Sequence, residues 1–281
     1  MKKLLLLAVV FSASFALNAQ VEIPQSSPFT KIEQKIGLTD VTLEYSRPGM
    51  RDREVFGNLV PYGKVWRTGA NMNSKITFSD DVIVGGTDVK AGSYSIYTKP
   101  NANSWEVYLY STTQNWGLPE KWEDSKVVAT VKAETYKLPT NIETFTIGFD
   151  DLTSNSAVLG IMWDNVYVAV PFSLHTDKTV TKSIEKALNG PSANDYYAAA
   201  TYYLEEGKDA KQANEWMQKA MSMIKDPMFY QLRKQSLIYA AAGDKKNAIK
   251  TAKVSLAKSK EAGNMDYVKM NEDSLKEWGA L

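Results

Sequence analysis

Phe172-Ser-Leu-His-Thr176 divides this chain into two texts with different hydrophobic periods. Upstream of it, apolar residues return at every second position. Val41, Leu43 and Tyr45 alternate with Thr42, Glu44 and Ser46; Trp105, Val107 and Leu109 alternate with Glu106, Tyr108 and Tyr110; Phe145, Ile147 and Phe149 alternate with Thr144, Thr146 and Gly148. Side chains on a strand point to opposite faces in turn, so this pattern buries one face and wets the other. Breakers recur between the runs at Gly85-Gly86, Ala91-Gly92, Lys99-Pro100-Asn101-Ala102-Asn103 and Asp150-Asp151. Short strands at such spacing, with no helical run between them, predict an antiparallel β-sandwich, jelly-roll-like in type.

Downstream of Thr176 the composition turns to Ala, Lys, Glu, Met and Leu, which favour helix. Ser192 is an N-cap candidate ahead of Tyr196, Ala199, Ala200 and Tyr203, and Gly207 ends that run. Asp226-Pro227 reads as an N-cap with proline at the first helical position, and Gly243 as the stop. Asn189-Gly190-Pro191 is a hinge-like break. Tyr202-Tyr203-Leu-Glu-Glu-Gly207 leads into Ala213, Met217 and Ala220, and Tyr239-Ala-Ala-Ala-Gly243-Asp244 leads into Ala248, Ala252 and Ser255. An aromatic, a glycine turn and a ladder of small residues resemble tetratricopeptide repeats, in which small side chains let paired helices approach closely. The first copy carries an extra residue between Gly207 and Ala213 and is degenerate. The chain is therefore expected to be α+β as a whole, with a β-sandwich domain over 21–175 and an all-α, repeat-like domain over 176–281.

The first twenty residues form a third segment. Met1-Lys2-Lys3 is a basic start, Leu4 to Leu17 is apolar apart from Ser12 and Ser14, and Ala19 offers a cleavage position. This is the pattern of a secretory signal peptide at 1–20, with an apolar core too short to span a membrane. A periplasmic or secreted location is the expectation. The 281 residues contain no cysteine, which leaves no lipoprotein anchor, disulfide or thiolate chemistry. The formal charge of +1 becomes −1 once Lys2 and Lys3 leave, so no global field draws nucleic acid, and no later apolar run is long enough for a membrane span.

Arginine is distributed very unevenly. Four of the five arginines, Arg47, Arg51, Arg53 and Arg67, fall within 21 residues, beside Thr68, Gly69 and Asn71. Guanidinium is a planar fork of donors suited to a carboxylate, a phosphate or a group of carbonyls, so the segment is either a brace for an irregular loop or a site for an anionic ligand. Arg67, Thr68 and Asn71 beside Gly69 suggest a partly buried network with Arg67 structural, which leaves Arg51 and Arg53, flanking Asp52, as the more exposed candidates. Trp116 and Trp122 share a polar loop and could stack on a sugar ring or fold back against the sandwich.

Candidate catalytic groups are weak by comparison. His175 is the only histidine, and without a second His or any Cys it supports neither a zinc site nor a dyad. Neighbouring carboxylates at Asp80-Asp81, Glu123-Asp124 and Asp150-Asp151 point to opposite faces of a strand and sit near turn signals, which suits local bonding better than paired acid-base work. No metal, cofactor or catalytic residue is assigned.

Tyr45-Ser-Arg-Pro48, Phe56-Gly-Asn-Leu-Val-Pro-Tyr-Gly-Lys-Val-Trp-Arg-Thr-Gly-Ala-Asn71, Ile76-Thr-Phe-Ser79, Ala91-Gly-Ser-Tyr-Ser-Ile-Tyr-Thr-Lys-Pro100, Trp105-Glu-Val107 and Glu143-Thr-Phe-Thr-Ile147 together resemble the signature of the domain-of-unknown-function 2911 family. The resemblance covers about residues 25 to 172 and implies an exported protein of Gram-negative bacteria. It brings no activity with it, so it transfers no catalytic residue. The expectation is a non-enzymatic binding or scaffold protein that meets a protein partner through its helices. The alternative is a β-sandwich that binds or hydrolyses glycans, using Trp116 and Trp122 as platforms and Asp80, Asp81 or Glu143 as acid and base.

Overall fold

The structure, a computed structural model, describes residues 23–187 and 190–281. The expected signal peptide with its cleavage near Ala19, and Asn189 of the hinge-like break, lie outside the described residues. The chain divides into two compact units, one running through Thr176 and the other starting at Asp177.

Among the described residues the first unit contains nine strands: β1 (Phe29–Ile36), β2 (Thr39–Ser46), β3 (Ala70–Phe78), β4 (Val82–Val84), β5 (Thr87–Val89), β6 (Gly92–Pro100), β7 (Ser104–Tyr110), β8 (Val127–Asp150) and β9 (Ser156–Leu174). They form one antiparallel sheet in the order β1-β2-β3-β6-β7-β8-β9-β4-β5. Turns fall where breakers stand in the sequence, with Gly85-Gly86 between β4 and β5 and Asn101 to Asn103 between β6 and β7. The alternation gives the burial it predicts on β2 and β7, where Val41, Leu43, Tyr45, Trp105, Val107 and Leu109 are all buried.

Two long strands bend this sheet. The first part of β8 pairs with β7, from Val127 opposite Tyr110 to Glu134 opposite Ser104. Its pairing with β9 shifts register between Lys137 and Ile142 and again between Ile142 and Thr146. Extra residues on one strand of a pair bend it and increase its twist. Beyond these shifts, Phe145 and Ile147 join the same core as Leu43 and Tyr45. The Tyr45 hydroxyl donates to Ile147 O at 2.8 Å and accepts from Ile147 N at 3.0 Å. Burial, the first cause, raises this phenol above its ordinary value, so it stays a neutral donor. The chain leaving β2 also meets β8: Met50 N donates to Glu143 O at 2.9 Å and Phe145 N to Pro48 O at 2.9 Å. The connection leaving β2 is thus stitched to β8 beside Pro48, where the arginine segment begins.

The second unit contains, among the described residues, six helices packed in pairs. They are α1 (Thr176–Ala187), α2 (Ala193–Glu205), α3 (Ala210–Met223), α4 (Phe229–Ala241), α5 (Lys245–Glu261) and α6 (Met265–Glu277). α2 packs on α3 and α4 on α5, with α6 added against α5. The small-residue ladder is the contact surface, since Ala199, Ala200, Ala213, Ala220, Ala248 and Ala252 are all buried. Ser192 caps α2 through a reciprocal box, its hydroxyl accepting from Asp195 N at 3.3 Å while Asp195 Oδ2 accepts from Ser192 N at 2.8 Å. The expected cap at Asp226-Pro227 is corrected: α4 starts at Phe229, and the Gln231 side chain reaches back to Met228 N at 2.9 Å. Asp226 is drawn instead to the Lys258 ammonium of α5, which also donates to Pro227 O at 2.9 Å. No helix of the described residues is long and apolar enough to cross a membrane.

The first turn of α1 is tied to the α2–α3 region through Asp177, which accepts from the Tyr202 hydroxyl at 2.8 Å and pairs with Lys208 at 2.5 Å. The Lys208 hydrogen bond, then Tyr202, holds this carboxyl below its usual range. A depressed carboxyl stabilises the fold above its unfolded value, about 3.9, and loses that contribution as pH falls through the lower folded value. Asp177 is half exposed, so the contribution is under about 1 kcal/mol. Wild type and Asp177→Asn should therefore differ slightly in melting temperature at pH 7 and converge in strong acid; a gap that widened on acidification would contradict this pairing.

Candidate functional site

The arginine segment runs from the end of β2 to the start of β3. Its four arginines do different things. Arg47 turns onto β8, donating from Nε to Phe145 O at 3.1 Å and from Nη2 to Thr146 Oγ1 at 2.7 Å. It braces the stitch between β2 and β8 and does not line the pocket described next. Arg47→Ala strips a charged donor from a partly buried carbonyl and should cost about 2 kcal/mol in a urea melt of the β unit. An unchanged midpoint would remove the brace.

Arg51, Arg53 and Arg67 converge instead on a pocket of about 350 Å³. Arg51 and Arg53 reach it from the loop after β2, and Arg67 from the loop before β3. Trp66 and Trp163 form its aromatic wall, with their rings stacked at 5.8 Å and 16°. Leu59 and Val60 add apolar surface, and Ser26 and Ser27 stand at the N-terminal side. No aspartate, glutamate, asparagine or glutamine is among the lining residues.

The guanidiniums are anchored but far from saturated. Arg51 Nη2 donates to Ser26 O at 2.5 Å; Arg53 donates from Nε to Met50 O at 2.8 Å and from Nη2 to Gly49 O at 2.7 Å; Arg67 Nη1 donates to Asn71 O at 2.8 Å. Each guanidinium carries five N–H donors, so most of them are left over. No arginine takes part in an ion pair among the described residues. Glu143, the nearby carboxylate with a resolved role, spends Oε1 on Arg51 N at 3.0 Å and so holds the loop backbone rather than a guanidinium. Among the described residues, three positive charges thus border one cavity whose lining holds no carboxylate.

Backbone strain is concentrated around the same pocket. Arg51, Asp52, Thr68 and Asn71 all have positive φ, at 51°, 57°, 57° and 58°. For a β-branched residue such as Thr68 this is an outlier costing on the order of 1–3 kcal/mol. The surroundings enforce it. Thr68 is buried, its hydroxyl within 3.0 Å of Thr98 Oγ1, and its carbonyl accepts from the Ser74 hydroxyl. Asn71 Nδ2 donates to Ser27 O at 3.1 Å and lies 3.2 Å from Ser46 Oγ. Thr68 and Asn71 therefore shape the turn that presents Arg67.

The tryptophan pair read from the sequence separates. Trp122 folds back: Nε1 donates to Asp124 Oδ1 at 2.9 Å, and its ring lies 4.9 Å from Tyr110 and 5.4 Å from Tyr108. Trp116 is 71% exposed and does not line the arginine pocket. The wall of the arginine pocket comes from Trp66 and Trp163. Trp163 was not singled out by the sequence, although it follows Ile161 at the strand period on β9.

The candidate acids are occupied locally. Asp80 accepts from Ser79 Oγ at 2.7 Å, Asp81 from Lys90 Nζ at 2.7 Å and Ala91 N at 2.9 Å, and Asp150 from the Tyr167 hydroxyl at 3.1 Å. Lys90, then the Ala91 amide, holds Asp81 below the ordinary carboxylate range. His175 Nε2 stands 3.9 Å from Asp88 Oδ1. No group of three potential metal ligands gathers among the described residues.

An antiparallel β unit with a strained, arginine-lined pocket, followed in the chain by a paired-helix unit, defines this chain's class. The family described as "Protein of unknown function (DUF2911)" matches residues 27–172, more than half of the chain and nearly all of the sheet, and the chain belongs to that family. The description assigns no activity. No curated protein and no solved structure matches the chain.

Proposed function

We propose that this chain is an exported, non-enzymatic binding protein whose β unit captures an anionic ligand between Arg51, Arg53 and Arg67. One observation carries the reading: three guanidiniums border a single cavity with most of their donors unused and no carboxylate paired to them. Such donors are strongest towards carboxylate, sulfate or phosphate oxygens. The strain at Thr68 and Asn71 supports it, because strained backbone persists where the surroundings hold a functional geometry in place. In this reading the curled sheet acts as a jelly-roll-like sandwich, a rigid frame for the pocket.

Calorimetric titration of the full mature chain with citrate, sulfate and phosphate at low salt tests the proposal. Citrate should bind, Arg53→Gln should weaken it about 10-fold, and added salt should weaken it further because the arginines are partly solvent-exposed. Absence of binding by all three anions would end the reading. Export rests on the sequence of residues 1–20 and is checked by N-terminal sequencing of the mature protein, which should begin near Gln20; a mature chain starting at Met1 would overturn it.

A second reading concerns the helical unit. Met223, Met228, Tyr230 and Met265 are exposed on it, and exposed Met and Tyr suit protein recognition. We take the paired helices as tetratricopeptide-like and as the surface that meets a protein partner. A chain lacking residues 177–281 should lose partners that the full chain retains in a pull-down, and unchanged recovery would sink the idea.

A further inference from the structure

The lining of the arginine pocket restricts its ligand more closely than charge alone. Three guanidiniums supply donors, and among the described residues the only lining side chains able to accept a hydrogen bond in turn are the hydroxyls of Ser26 and Ser27. A neutral sugar could accept from the guanidiniums through its hydroxyl oxygens, but it would leave their charge unanswered and find few side-chain acceptors for its own donors. An ammonium group inside the pocket would meet three like charges and no lining carboxylate, which disfavours basic peptides. The ligand must therefore bring acceptors in excess, and more than one anionic group to answer three arginines spread along the connection between β2 and β3.

The remaining wall is apolar and flat. Trp66 is partly exposed beside the almost fully buried Trp163, and its ring is fixed by contacts to Trp105 at 6.3 Å and Phe145 at 5.2 Å. Leu59, 39% exposed, adds to this side. A rigid indole beside a charged rim suits a ring that offers a C–H face to the wall and oxyanions to the rim. The volume of about 350 Å³ sits at the lower end of the usual range for small-molecule sites, which limits the bound part to one or two sugar-sized rings.

We infer that the pocket takes an acidic saccharide of one or two rings carrying at least two oxyanion groups, carboxylate or sulfate. This rests on reading the pocket as an oxyanion site, and it adds the ring and the charge number. The test is calorimetric titration of the full mature chain with digalacturonate, a disulfated glucose, citrate and maltose at one ionic strength. Digalacturonate or the disulfated glucose should bind at least about 10-fold tighter than citrate, with maltose giving no heat, and Arg53→Gln should weaken the preferred sugar about 10-fold. The better of the two charged sugars distinguishes carboxylate from sulfate. Citrate binding as tightly as either sugar would overturn the ring requirement while leaving the oxyanion reading standing. Maltose binding equally well, or no anion binding at all, would overturn both.

Discussion

Trp163→Ala is expected to remove about 3–5 kcal/mol from the stability of the β unit, the range for truncating a buried tryptophan. Trp163 is 2% exposed and sits where rings from several elements meet. It stacks on Trp66, meets Phe145 at 5.6 Å and Phe56 at 6.3 Å, and donates through Nε1 to Glu143 O at 3.2 Å. Truncation would open a cavity between β9 and the arginine segment and remove one of the two hydrogen bonds to Glu143 O, which keeps its bond from Met50 N. Urea unfolding followed by near-ultraviolet circular dichroism checks it. Trp116→Ala, at a 71% exposed site, should shift the same curve by no more than about 0.5 kcal/mol. Equal shifts for the two variants would show that the aromatic wall does not hold the unit together.

Gly69→Ala should cost about 3 kcal/mol, from two causes acting together. Its φ of 140° lies in a region that only glycine adopts readily, and an added Cβ would stand 3.0 Å from both Ser46 O and Ser74 Oγ. Neither neighbour yields easily: Ser46 ends β2 in the core sheet, and Ser74 is fully buried with its hydroxyl spent on Thr68 O. Relief would have to come from the turn that presents Arg67, so anion capture should fall along with stability. Gly148→Ala is the control, because its Cβ meets nothing and its φ is ordinary; its cost should stay within about 1 kcal/mol. A Gly69→Ala protein with unchanged melting and unchanged citrate binding would contradict the strained-turn account.

Much of the architecture was legible because it depends on short-range chemistry. The period-two runs gave β2 and β7 their buried faces, and the change of text at Thr176 marked where helices begin. Ser192, Gly207 and Gly243 punctuate helices as their backbone chemistry requires, with φ of 61° and 85° at the two glycines. Asp226-Pro227 misled because a local cap signal says nothing of Lys258, a residue 32 positions later that takes the carboxylate. For the same reason the arginine segment could be flagged but not resolved. Spacing in the chain cannot show that Arg47 turns to Phe145 while Arg51, Arg53 and Arg67 share a cavity, since that division follows from how β8 bends back onto the end of β2. Trp163 joins them from a strand 96 positions beyond Arg67, through a contact that only the tertiary fold creates.

The five arginines make the central claim directly measurable. Their side-chain Nε–H signals in a two-dimensional nitrogen–proton spectrum of the full mature chain can be assigned one by one with Arg→Lys variants. On titration with sulfate, the signals of Arg51, Arg53 and Arg67 should move together along one saturating curve, while Arg47, bonded to Phe145 O and Thr146 Oγ1, and Arg233 in α4 stay in place. Movement of all five in proportion to ionic strength, without saturation, would contradict a built oxyanion site.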